Sequence, residues 1–122
     1  MIKKTILIFT VLISIILFSC EDIFEKDITN DSVMILSPLS KNSIQSDKVT
    51  FLWELLEGAD QYHIVVVSPS FENIQTYVCD SLTDKYTISL SLPAGEYEWS
   101  IQARNSAYES QKKNVSFKVE RP

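Results

Sequence analysis

Between Glu96 and Ala103 the chain alternates polar and apolar at every step: Glu96, Glu98, Ser100 and Gln102 interleave with Tyr97, Trp99, Ile101 and Ala103. A helix returns to one face about every 3.6 residues and a strand every second residue, so a strand is what gathers these four apolar side chains on one face. The same period recurs along the chain. Val49, Phe51 and Trp53 alternate with Thr50 and Leu52; Tyr62, Ile64 and Val66 with His63, Val65 and Val67; Tyr86, Ile88 and Leu90 with Thr87, Ser89 and Ser91; Val115, Phe117 and Val119 with Ser116, Lys118 and Glu120. Val33–Leu36 and Gln75–Cys79 form two weaker segments. No sustained helical stripe competes with them.

Seven short strands are therefore expected, with Gly58, Pro69, Pro93 and Gly95 falling between runs rather than inside them. Each has one greasy face, which must be covered by another sheet. Seven such strands in about 90 residues predict an all-β fold, a seven-stranded antiparallel β-sandwich built of two sheets packed face to face.

The order of aromatic residues adds a family resemblance. Trp53 on the second strand, Gly58-Ala59-Asp60-Gln61-Tyr62 entering the third and Leu92-Pro93-Ala94-Gly95-Glu96-Tyr97 entering the sixth resemble a fibronectin type III domain, a member of the immunoglobulin-like sandwiches. The continuation Trp99-Ser100-Ile101-Gln102-Ala103-Arg104-Asn105 looks like that family's sixth strand. The resemblance spans roughly residues 32–120. It implies that Tyr97 occupies a tyrosine corner, its hydroxyl bonding to main chain just upstream.

The first twenty residues have a different character. Lys3 and Lys4 precede the run from Ile6 to Phe18, which is apolar except for Thr10 and Ser14. Spanning a bilayer takes about 20 apolar residues, and this run is shorter. A charged start, an apolar stretch and a small residue before the break are features of a secretory signal. Leu17-Phe18-Ser19-Cys20 resembles a bacterial lipobox, which implies a signal peptide over residues 1–19 and a lipid-bearing Cys20 at the start of the mature chain. An ordinary signal peptide or anchor helix with an incidental cysteine is the plainer alternative. Residues 20–31 are expected to form the lipidated cysteine and an acidic tether, followed by the domain over 32–120. Glu21-Asp22-Ile23-Phe24-Glu25-Lys26-Asp27 carries four acids and one base. Besides serving as a spacer, it resembles the surface-export signal of outer-membrane lipoproteins in glycan-foraging Gram-negative bacteria. The expected location is the outer membrane, lipid-anchored, with the cell-surface face implied by that signal.

Charge narrows the partners. All sixteen acids lie after residue 19, against nine bases once Lys3 and Lys4 are set aside, a balance of −7. Nucleic acid and an electrostatic grip on anionic lipid are both disfavoured, so membrane attachment would fall to acyl chains on Cys20. Cys79, the other cysteine, has no partner for an internal disulfide and reads as a small half-buried strand residue beside Asp80, which opposes thiolate formation.

Catalysis finds little support. His63 is the only histidine and points away from the apolar face of its strand; one histidine with no cysteine cluster does not make a zinc site. Glu96 and Glu98 share an outward face beside Ser100 and Gln102, with no apolar pocket to separate their pKa values. No catalytic residue, metal or cofactor is expected, and the chain reads as a non-catalytic interaction or scaffold module. Its partner would be another envelope protein or, alternatively, a glycan captured for polysaccharide uptake. Two surfaces are candidates for binding. Val65 and Val67 are apolar on an outward strand face. Tyr108, in the loop from Arg104 to Lys113, is expected to share one end of the sandwich with Leu55 and Leu56, in the loop from Glu54 to Asp60; loops at one end of such folds commonly carry binding.

Overall fold

The computed structural model describes residues 24–120. The expected signal peptide over residues 1–19, the expected lipidation site Cys20, and Glu21 and Asp22 of the acidic stretch lie outside the described residues. The described chain forms eight strands: β1 (Ile35–Ser37), β2 (Asn42–Ile44), β3 (Lys48–Trp53), β4 (Gln61–Pro69), β5 (Ile74–Thr83), β6 (Thr87–Ser91), β7 (Gly95–Arg104) and β8 (Lys113–Val119). They pack as two sheets, ordered β1-β3-β6 and β2-β8-β7-β4-β5. The sandwich is as expected, with eight strands in place of seven. The additional strand, β2, runs parallel to β8, pairing Asn42 with Phe117 and Ile44 with Val119. Its sequence, Asn42-Ser43-Ile44, offers one apolar residue and no alternation, because backbone pairing rather than a buried face makes it a strand.

Alternation sets the core. Val49, Phe51 and Trp53 of β3 meet Tyr62, Ile64 and Val66 of β4, Tyr97, Trp99, Ile101 and Ala103 of β7, and Phe117 and Val119 of β8, all buried. Phe51 stands edge-on to Trp99 at 4.9 Å between ring centroids and to Phe117 at 5.7 Å, which ties one sheet to the other. Tyr97 stacks on Phe117 and its hydroxyl donates to the Pro93 carbonyl at 2.6 Å, the corner bond expected of this residue. Burial out of water raises the pKa of that phenol.

Three expectations need correcting. Tyr86 was expected inward with Ile88 and Leu90, yet it precedes β6 and is exposed. The weak segment over Gln75–Cys79 extends to a ten-residue strand, β5. The third concerns the tether. Ile28 is 0% exposed and belongs to the core cluster, and Ser32 bridges to Gln111. Residues 24–31, expected to be a free spacer, are instead laid against one end of the sandwich. Burying a side chain of this size stabilises a fold by about 1.5–3 kcal/mol, enough to hold a short segment in place.

Candidate functional site

The docked N-terminal segment meets both candidate binding loops at one residue, Asn105. Its Nδ2 donates to the Lys26 carbonyl at 2.8 Å and to the Gly58 carbonyl at 2.9 Å. Its Oδ1 accepts from the backbone N–H groups of Ala107, at 3.0 Å, and Tyr108, at 2.8 Å. An asparagine following a strand favours such a turn, because its carbonyl mimics a backbone acceptor. Here both donors of the same amide also clamp two other segments. Glu25 reinforces the clamp by accepting from the Ser106 hydroxyl at 2.7 Å, as does the Gln111 side chain by donating to the Thr29 carbonyl at 2.8 Å. Lys26 and Glu57 form an exposed ion pair at 3.7 Å.

Gly58 makes room for this arrangement. It has φ +89°, and a Cβ there would stand 2.9 Å from Cβ and Cδ of Lys26. A side chain at position 58 would meet both backbone strain and a collision. Asp27 accepts from the Thr29 side chain and backbone N–H, which together lower its pKa.

Beside the clamp, Asp60, Gln61, Thr83, Asp84, Arg104, Asn105 and Ser106, with Leu82 as the one apolar side chain, line an open cleft of about 600 Å³. It is polar and shallow. Among the described residues no group of three or more His, Cys, Asp or Glu side chains is placed to hold a metal ion.

The expected end-loop residues separate in role. Leu55 is 61% exposed and Tyr108 36% exposed, both on the end fixed by Asn105. Leu56 packs against the core, and its N–H donates to the Tyr62 hydroxyl at 2.6 Å, so it is a structural residue rather than a contact surface. Phe24, 92% exposed, joins Leu55 and Tyr108 at the same end.

The outward face of β4 also departs from expectation. Val67 is fully buried and is withdrawn as a docking residue. It lies opposite Glu98, whose Oε1 accepts from the Phe71 N–H at 2.8 Å, so the β4–β5 turn folds back over this part of the face. Val65 is half-buried. Near it stand two further residues that simple alternation does not mark, Leu82, 49% exposed, and Tyr77, 65% exposed. By register Leu82 faces His63 and Tyr77 faces Val67, so both share the outer surface of the five-stranded sheet. His63 Nε2 lies 2.6 Å from Asp80 Oδ1, a link between β4 and β5. Cys79 turns the other way and packs partly against the core; burial first, and the Asp80 charge second, push its thiol pKa up.

No protein-family model matches the chain, and no curated protein sequence does. Solved structures do. FN3tt shares 22% identity with a TM-score of 0.53, over 74% of this chain and 97% of that one. The fibronectin(III)-like modules of Clostridium thermocellum CbhA share 13% identity with a TM-score of 0.54, over 74% and 98%. The fn3 domain of the human collagen alpha-1(XX) chain shares 16% identity with a TM-score of 0.56, over 77% and 91%. At these identities the likeness is one of fold alone. The chain carries a fibronectin type III-like β-sandwich.

Proposed function

We propose that this chain is a lipid-anchored, non-catalytic interaction module of a bacterial outer membrane, held by acyl chains on Cys20 and meeting a second envelope protein through the outer face of its five-stranded sheet. The observation that carries the docking reading is the exposure of Tyr77 and Leu82 beside half-buried Val65, on a sheet whose outer face is otherwise largely polar. Large exposed aromatic and aliphatic side chains grouped on a sheet are the anchors a protein interface uses. The anchor itself rests on Leu17-Phe18-Ser19-Cys20. Of the four acids in the export-like stretch, Glu25 is engaged with Ser106 and Asp27 with Thr29.

Glycan capture is the second reading, favoured by the exposed rings of Tyr77 and Tyr86. A photoreactive side chain at position 82 in intact cells separates the two. The protein-docking reading expects one recurrent envelope partner, lost on Tyr77→Ser, and no binding to a polysaccharide array. Array binding abolished by Tyr77→Ser, with no recurrent cross-link, would transfer the site to glycan.

A further inference from the structure

We infer that the end of the sandwich bearing Phe24, Leu55 and Tyr108 is apposed to a zwitterionic lipid surface, so that these three side chains enter the headgroup layer and the domain stands upright on the membrane. The inference rests on the lipid-anchor reading of Cys20. Glu25 is bonded to Ser106 and the Lys26 carbonyl to Asn105, so the N-terminal segment is fixed to this end and no other. From Cys20 to Glu25 a fully extended chain reaches at most about 18 Å. The opposite end, at the turn holding Pro93 and Ala94, lies the length of β7 away, about 30 Å for ten residues in a strand. The tether is shorter than the domain. An inverted domain, with the Asn105 end uppermost, is out of reach.

Exposure then chooses among the remaining orientations. Phe24, at 92% exposed, Leu55, at 61%, and Tyr108, at 36%, project from loops at the anchored end rather than from a sheet face. A phenylalanine and a leucine gain by entering the acyl boundary, and a tyrosine suits the headgroup level. An acyl chain brings them there at high local concentration, so little affinity of their own is needed. Charge selects the lipid. Glu54, Glu57, Asp60 and Glu109 are exposed at this end. Lys26 is already paired with Glu57, and with Arg104 and Lys112 also in this region the acids remain in excess. Anionic headgroups would be repelled and zwitterionic ones would not.

The test uses full-length lipidated protein in phosphatidylethanolamine–phosphatidylcholine vesicles containing nitroxide headgroup lipid. With Cys79→Ala removing the remaining thiol, a fluorophore is placed by Leu55→Cys, Tyr77→Cys or Ala94→Cys. Quenching at position 55 is expected to exceed that at 77 and 94 severalfold, and to weaken when phosphatidylglycerol is added. In the unsubstituted protein, amide exchange over residues 54–58 and 106–109 is expected to slow on vesicles relative to detergent, which reads the same contact without a label. Equal quenching at all three positions, or strongest quenching at 77 from a domain lying on its sheet face, overturns the proposal while leaving the anchor intact. Protein that carries no lipid on Cys20 overturns the anchor and the apposition with it. An end that stays unquenched on vesicles yet is shielded in intact cells assigns these residues to a protein partner and also overturns it.

Discussion

Replacing Asn105 by Ala tests whether one amide holds three segments of chain together. Four hydrogen bonds disappear. The Gly58 carbonyl is partly buried, so losing its donor costs about 1 kcal/mol or slightly more. The Lys26 carbonyl and the N–H groups of Ala107 and Tyr108 face water and can be rehydrated, at about 0.5 kcal/mol each. The expected loss is about 2–3 kcal/mol, a large share of the roughly 5–15 kcal/mol that stabilises a domain. For a domain of about 100 residues each kcal/mol lowers Tm by about 4–8 °C. Urea unfolding followed by fluorescence of Trp53 and Trp99, both buried, reads the change. Combining Asn105→Ala with Ile28→Ala should cost less than the two losses added, because either substitution alone already loosens the docked segment. A shift below about 0.5 kcal/mol for Asn105→Ala, or strict additivity with Ile28→Ala, would refute the clamp.

Other consequences follow from the core and the titrating groups. Trp53→Ala is expected to cost about 3–5 kcal/mol by removing a fully buried indole, measured by the same urea titration; a midpoint near that of the parent would contradict its place between the sheets. Cys79 should alkylate more slowly at neutral pH than an unhindered thiol, since both burial and Asp80 disfavour the thiolate; rapid labelling of folded protein would be the opposing result. Asp27 and Glu120 both have folded pKa values below their ordinary 3.8 and 4.5, Glu120 through the Ser43 hydroxyl and Lys118. Their contribution is therefore present above those values and is lost as pH falls through the lower folded values. The urea midpoint should hold from pH 6 to about 4.5 and fall as pH drops below the ordinary values of these groups, and an unchanged midpoint there would speak against both interactions.

The parts of this fold legible in the sequence are those in which a strand buries one face. β8 alternates cleanly and β7 does so except at Ser100, which is buried on the outward phase, and Trp53, Trp99 and Tyr97 lie inward as their phase predicts. What escaped has a different physical origin. Ile28 sits in a run of charged and polar residues, and a single apolar side chain there carries no period. Only its place in the folded core reveals it. β2 is held by main-chain bonds to β8, which leave little trace in residue type. Val67 has the phase of an outward residue and keeps that phase; it is buried because the β4–β5 turn folds over it, an event set by Phe71 and Glu98. Tyr77 and Leu82 lie in a strand with a register shift, beside which simple alternation misreads the faces. Asn105 was visible as turn chemistry, while its donors to Lys26 and Gly58 required the third dimension.

The anchor proposed at Cys20 underlies both the proposed location of the module and the orientation inferred for it, and intact-mass and peptide mass spectrometry of membrane-extracted protein tests it directly. The expected result is a mature chain whose first residue is Cys20, carrying a thioether-linked diacylglyceryl group, with Cys20→Ser abolishing the adduct. An unmodified Cys20, or a mature chain that still continues upstream through Phe18-Ser19, would contradict it.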